Sequence, residues 1–313
     1  MRRKTLKHVV AVFAGAILFL AAVNAGAVDG PAQPALFQVQ VTGHGHPMIL
    51  IPGLSSSGDT WTGTVEHFEG RYRCYALTLA GFAGVPPVHS DHFLDGVVEQ
   101  LHQYIRQNNL NSAVVVGHSL GGAVALMLAE QHPSDVGQLV IVDSLPFLPH
   151  AWMNLDSVAA AKPVAEGMRK RIDDETQAQY EAFIRSGTAT RPMVSSDANF
   201  QMITQWGLNS DQHTVAQAMY ELYTTDLRPA LSQVAAPTLV METWIGLKTA
   251  GATRNDVDKE FHEQYTNLKN VRYSVSDKGR HFVMLDDPAW FYQQLDSFLA
   301  TTGSTVQTAK STR

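Results

Sequence analysis

The stretch Ala113-Val-Val-Val-Gly-His-Ser-Leu-Gly-Gly122 decides the fold of this chain. Its apolar, β-branched residues Val114 to Val116 predict a short buried strand of a parallel sheet. The residues that follow the stretch, Ala123 to Ala129, have the composition of a helix. Between strand and helix stands the pattern G-x-S-x-G, which in this context indicates a serine held above the sheet edge on a strained turn. Glycines remove side chains that would clash at such a turn, and the helix amides behind Ser119 favour developing negative charge.

Strand and helix patterns alternate on both sides of this stretch, which predicts an α/β fold. The helix over Val97 to Ile105 carries an apolar stripe, and Pro288 suits the start of a closing helix that runs to Ala300. The remaining predicted strands are residues 36–41, 48–51, 75–79, 138–142, 237–241 and 271–275.

The segment 145–226 interrupts this alternation, because it contains no convincing strand pattern. Helices are predicted over Arg169 to Ile184 and over Val215 to Leu222. A strand-free insertion of this length predicts a helical cap over the carboxyl edge of the sheet. The core is then expected to comprise residues 28–144 and 227–300, and the polar residues 301–313 are expected to form a disordered tail.

The amino-terminal residues 1–27 have the layout of a secretory signal peptide. Four basic residues precede an apolar run from Val9 to Val23, and the small residues Ala25-Gly26-Ala27 follow it. The apolar run is short for a membrane span, so we expect cleavage and a periplasmic or secreted protein that meets the membrane only through this transient segment. Cleavage would leave 19 Lys and Arg against 29 Asp and Glu, a formal charge of −10. This charge argues against nucleic acid and anionic membrane surfaces as partners.

Cysteine and histidine usage predicts neither a disulfide nor a metal site. Cys74 is the only cysteine and lies in a strand-like segment, where a buried structural thiol is expected. His44 and His46 are one residue apart in a turn, but no further Cys or acidic ligand is near them in the sequence.

A serine nucleophile needs a base within hydrogen-bonding distance and a third group that orients the base. Among the 13 histidines, His281 stands in the loop between the last predicted strand and the closing helix. This position predicts that His281 is the base, whereas most of the other histidines are expected at the surface.

Taken together, Pro52-Gly53 after an apolar strand, Gly-His-Ser-Leu-Gly-Gly, Pro-Thr-Leu-Val and a late Gly-Arg-His-Phe resemble the α/β-hydrolase superfamily over residues 36–300, except the cap. The resemblance implies a mostly parallel eight-stranded sheet with helices on both faces, and hydrolysis without a cofactor. It also implies Ser119 as nucleophile, His281 as base, and the backbone amides of Leu54 and Leu120 as the oxyanion hole. His118, beside the nucleophile, is common in the family and is not expected to be catalytic.

The position of the triad acid departs from the family pattern. The loop after the strand 237–241, where the acid usually lies, contains no aspartate. Asp143, at the end of the strand after the nucleophile helix, resembles the arrangement in the haloalkane dehalogenase branch. Glu242 and Asp256 remain alternatives, although Glu242 comes early and Asp256 suits a helix start. The sequence leaves the three open and favours Asp143.

These residues predict an exported serine hydrolase that cleaves the carboxylic ester of a small acyl substrate. The alternatives are a cofactor-free aminopeptidase or other amidase, and a ligand-binding protein with little turnover on the same fold. The missing acid at the usual position gives weight to the second alternative. A serine at position 119 argues against dehalogenase or epoxide hydrolase chemistry, since those reactions need a carboxylate nucleophile.

Overall fold

The β4 strand, Ala113–His118, lies in the middle of a seven-stranded sheet with the order β1-β3-β2-β4-β5-β6-β7. The computed structural model describes residues 34–310, with side chains through residue 301. Strands β2 to β7 are parallel, and β1 pairs antiparallel with β3 at one edge. The other strands are β1 Phe37–Gly43, β2 His46–Ile51, β3 Tyr72–Leu79, β5 Val136–Val142, β6 Thr238–Thr243 and β7 Val271–Ser276.

Helices cover both faces of this sheet, as its buried strands require. The helices are α1 Thr62–Phe68, α2 Phe93–Gln107, α3 Leu120–Gln131, α4 Leu148–Met153, α5 Val158–Asp174, α6 Gln177–Ser186, α7 Asp197–Leu208, α8 Gln212–Thr224, α9 Arg254–Gln264, α10 Val283–Asp286 and α11 Pro288–Lys310. Residues of β4 alternate between the two faces, so Val115 packs with α2, α3 and α9, whereas Val114 and Val116 pack on the opposite side with α1 and α11.

The fold class predicted from the sequence is confirmed, but the number of strands is not. Within the described residues the sheet has seven strands rather than eight. Each apolar run that predicted a strand forms one, and residues 34–300 contain no further extended run for an eighth. The number eight came from the family resemblance and not from the runs themselves.

Between β5 and β6 the chain forms α4 to α8 and no strand. The prediction of one continuous helix over Arg169 to Ile184 is wrong, because α5 ends at Asp174 and α6 begins at Gln177. Thr176 explains the break, since its side chain forms a capping box with Gln179 that starts a new helix.

The segment 145–226, which we call the cap, contacts loops at the carboxyl edge of the sheet. The amide of Asp211 donates to the carbonyl of Gly81 after β3, at 2.7 Å. Arg280, in the loop after β7, donates to the carbonyl of Val194 at 2.8 Å. The cap is therefore joined to the loop that carries His281.

The closing helix α11 continues to Lys310, into the segment predicted as a disordered tail. Residues 301–310 contain no proline, so nothing in the backbone forces the helix to stop after Ala300. The predicted signal peptide, residues 1–27, lies outside the described residues. Within residues 34–310 no helix is long and apolar enough to cross a membrane.

Candidate active site

Ser119 stands on a strained turn between β4 and α3. Its backbone has φ 53° and ψ −121°, a conformation that L-residues rarely adopt. Close packing around the turn maintains it, because a Cβ at Gly117 would meet the backbone of Gly121, and one at Gly121 would meet the backbone of Ile51. The glycines of the motif are therefore required by contact, and Ser119 remains partly exposed above the sheet.

The structure brings His281 and Asp143 together at this edge. The Nδ1–H of His281 donates to Oδ2 of Asp143 at 2.6 Å, and the two side chains are 24% and 12% exposed. Asp143 directly follows β5, and His281 lies in the loop between β7 and α10. Because the carboxylate of Asp143 accepts a hydrogen bond from Nδ1–H of His281, the ring proton stays on Nδ1. Nε2 is then unprotonated and can accept a proton, as a general base must.

Asp143 is itself held by Thr243 at the end of the adjacent strand β6. The amide of Thr243 donates to Oδ1 of Asp143 at 3.0 Å, and its hydroxyl donates to Oδ2 at 2.7 Å. The amide of Asp143 donates to the carbonyl of Met241 at 2.8 Å. Thr243 could not be identified from the sequence, because its contact with Asp143 depends on β6 lying beside β5, which only the strand order shows.

The two alternative acids lie elsewhere. Glu242 is fully buried, and neither of its carboxyl oxygens has a hydrogen-bond partner. Burial, together with the carboxyl groups of Asp258 and Asp143, raises the pKa of Glu242 to about 9, so this residue is neutral near pH 7. Asp256 accepts from the amide and hydroxyl of Thr253 and caps α9. Of the three candidates, the structure brings only Asp143 to His281.

His118 contacts both the backbone and the ring of His281. Its buried Nε2–H donates to the backbone carbonyl of His281 at 2.9 Å, and the two rings are 4.6 Å apart. Burial lowers the pKa of His118 well below its usual value, with the neighbouring His281 acting in the same direction. His118 is therefore a neutral, buried group that contacts His281.

Ser119 and His281 both lie at the carboxyl edge of the sheet, where the ring of His118, the residue before Ser119, packs against the ring of His281. Within residues 34–301 the Ser119 hydroxyl forms no hydrogen bond. Catalytic hydrogen bonds are often long without substrate and shorten when it binds.

The predicted oxyanion amides flank Ser119. Leu120 is the first residue of α3, so its amide has no acceptor inside the helix. Leu54 follows Gly53, which lies close to Ser119, because a Cβ added to Gly53 would be 3.2 Å from the Cβ of Ser119. In the described part of the chain, neither amide donates to a protein acceptor. Both are therefore free to stabilise an oxyanion.

The remaining histidine and cysteine candidates lie away from Ser119. His46 is at the opposite, amino end of the sheet, where Nε2 is 2.9 Å from the carbonyl of Ser112. Among the described residues, neither His44 nor His46 belongs to a group that could hold a metal ion. Cys74 is buried, and this burial raises its pKa to about 11, so it is a neutral structural thiol.

A parallel sheet with a serine on a strand–turn–helix turn, beside a histidine–aspartate pair, is the architecture of a hydrolase. A sequence profile described as "Alpha/beta hydrolase family" matches residues 48–294. The chain belongs to the α/β hydrolase family.

Similar curated proteins are esterases and related hydrolases. A pimeloyl-[acyl-carrier protein] methyl ester esterase of Vibrio vulnificus is 24% identical over 262 residues, which cover 83% of this chain and 96% of that protein. The enzyme of the same name from Nitrosomonas europaea is 29% identical over 66% of this chain and 80% of its own. A putative carbamate hydrolase of Serratia proteamaculans is 24% identical over 82% and 91%.

Solved structures share the fold. An esterase from Exiguobacterium antarcticum superposes with a TM-score of 0.68 at 17% identity, covering 84% of this chain and 95% of its own. A thermophilic esterase from Thermogutta terrifontis gives a TM-score of 0.69 at 19% identity, covering 85% and 93%.

Proposed function

We propose that this chain is a serine hydrolase that cleaves the carboxylic ester of a small acyl substrate through an acyl-enzyme on Ser119. The observation that carries the proposal is the 2.6 Å hydrogen bond from His281 to Asp143 at the edge where Ser119 is raised. The names of the esterase relatives support the ester over other acyl compounds.

The mechanism follows from the positions of the side chains. His281 Nε2 removes the proton of Ser119 while Oγ attacks the carbonyl carbon, and the amides of Leu54 and Leu120 bind the oxyanion. Asp143 stabilises the imidazolium that forms. The protonated His281 then gives its proton to the leaving alcohol. Water, deprotonated by the same histidine, releases the acid from Ser119.

Labelling with a fluorophosphonate probe tests the nucleophile and the base. We expect the wild type to be modified once per chain, and we expect Ser119→Ala and His281→Ala to lose the label while their melting temperatures stay close to wild type. Ser90→Ala, which removes an exposed loop serine, is the matched control and keeps the label. A folded wild type that is not labelled, or a labelled Ser119→Ala variant, would refute the proposal.

An amidase is the second candidate, because one of the similar proteins is named a carbamate hydrolase. Comparing p-nitrophenyl esters with aminoacyl anilides separates the two, and kcat/KM at least tenfold higher on the anilides would favour the amidase. A ligand-binding protein with little turnover has lost its main support, since that alternative depended on a missing acid and Asp143 contacts His281.

The expectation of export also stays a proposal. It depends on the basic and apolar pattern of residues 1–27. Amino-terminal sequencing of the protein recovered outside the cytoplasm tests it, and a mature chain that begins near Val28 is the expected result. An intact Met1 on cell-associated protein would contradict it.

A further inference from the structure

A second cluster of titratable side chains lies on the face of β6 opposite to Thr243. Side chains alternate along a strand, so Thr243 contacts Asp143 while Glu242 points towards α9. Asp258 and His262 are one turn apart on α9. Each of Glu242, Asp258 and His262 offers one ligand atom, and these atoms lie within 4.8 Å of one another.

Glu242 is the unusual member of this cluster. It is 0% exposed, and both carboxyl oxygens lack a hydrogen-bond partner although they lie beside two further ligand groups. A buried polar group without a partner is energetically unfavourable, so buried carboxyl groups in proteins are generally hydrogen-bonded or bind an ion.

The neighbouring charges do not satisfy Glu242. Arg254, the nearby cation on α9, donates to Asp277 at 3.0 Å. Asp258 also lies close to Glu242, but it is a second acidic group and does not compensate the charge of an ionised Glu242. A cation between the two carboxyl groups would offset the repulsion that arises when both are ionised, and it would provide the contact that Glu242 lacks.

The other two ligands are fixed in place and open to solvent. His262 Nδ1 is 2.8 Å from the backbone carbonyl of Asp258, and its ring packs against Tyr273 with centroids 3.9 Å apart. Asp258 is half-buried and His262 is exposed, so an ion can reach Glu242 from the surface side of α9.

We propose that Glu242, Asp258 and His262 bind a divalent transition-metal ion, with Zn²⁺ as the best match, which links α9 to β6. Two carboxylates and one imidazole are ligands that Zn²⁺ accepts, and a water molecule can complete four-coordination. Ca²⁺ and Mg²⁺ prefer all-oxygen sites with six or more ligands, which this set does not provide. The site lies outside the hydrolytic residues and stabilises the fold without taking part in the reaction.

Calorimetric titration of the full chain with ZnCl₂, after treatment with a chelator, tests the proposal. The titration uses the Ser119→Ala background, so that it does not depend on any hydrolytic activity. We expect the titration to show one ion per chain. Thermal unfolding at a free Zn²⁺ concentration one hundred times Kd is expected to show a rise in melting temperature of about 5 °C.

Two substitutions identify the ligands. Glu242→Gln and His262→Asn are each expected to weaken Zn²⁺ binding at least tenfold, whereas Glu263→Gln, an exposed carboxylate on the same helix, is the matched control with unchanged affinity. Absence of saturable binding would overturn the proposal. So would a Glu242→Gln variant that binds as tightly as the parent, because the ion would then bind only surface groups.

Discussion

Replacing Asp143 with asparagine is expected to remove most activity by changing which nitrogen of His281 carries the proton. Asp143 accepts three hydrogen bonds, from His281 and from the amide and hydroxyl of Thr243. The amide of Thr243 can only donate, so the asparagine oxygen must take the Oδ1 position and its NH₂ group the Oδ2 position. The Thr243 hydroxyl can rotate to accept. His281 Nδ1 can remain bonded only by losing its proton, which moves the proton to Nε2.

A histidine protonated at Nε2 cannot accept the proton of Ser119. The corresponding change in a serine protease lowers turnover about 10⁴-fold. A factor of this size corresponds to about 5.5 kcal/mol of transition-state stabilisation. We therefore expect Asp143→Asn to lower kcat on a p-nitrophenyl ester by about four orders of magnitude at neutral pH.

The assay pairs steady-state kinetics with thermal unfolding. Thr243→Val is the matched control, because it removes the hydroxyl contact to Oδ2 but keeps the amide contact to Oδ1. It leaves the His281 tautomer unchanged, so we expect a loss of about tenfold or less. If Asp143→Asn keeps more than a tenth of wild-type kcat while Glu242→Gln loses activity, the assignment of the acid is wrong.

Three further predictions concern groups around the site. The pKa of Glu242 is about 9 in the fold against 4.5 in the unfolded chain, so ionisation of Glu242 destabilises the metal-free fold increasingly as pH rises from about 4.5 to 9. In EDTA, Glu242→Gln is therefore expected to be more stable than wild type by about 3 kcal/mol at pH 7 and by almost nothing at pH 4. Urea unfolding at both pH values measures this difference, and an equal difference at both would contradict the prediction. His118→Phe removes the hydrogen bond to the His281 carbonyl, so we expect kcat to fall about tenfold with KM unchanged, and a change confined to KM would show that His118 contacts substrate instead. Gly117→Ala places a Cβ against the Gly121 backbone and is expected to destabilise the fold by about 2 kcal/mol or more in urea unfolding, whereas a variant of wild-type stability would mean that the turn is less tightly packed than the structure indicates.

The sequence by itself determined the parts of this protein that are local. The run Val114 to Val116, the glycines around it and the helix composition behind it require a strand, a tight turn and a helix within one short segment, and Ser119 is the residue that such a turn exposes. His281 could be predicted because chain order alone puts it in the loop before the closing helix. The strand-free composition of residues 145–226 similarly agrees with the helices found there.

The tertiary structure decided which carboxylate meets His281, because that depends on strand order and side-chain direction. Asp143 and Glu242 both stand at the ends of buried strands, and their positions in the sequence favour Asp143 without deciding between the two. Pairing of β5 with β6 places Thr243 on Asp143, and the alternation along β6 then directs Glu242 to the other face, towards α9. A one-residue difference along a strand reverses the face that a side chain occupies, and no property of the linear sequence records the register that selects it.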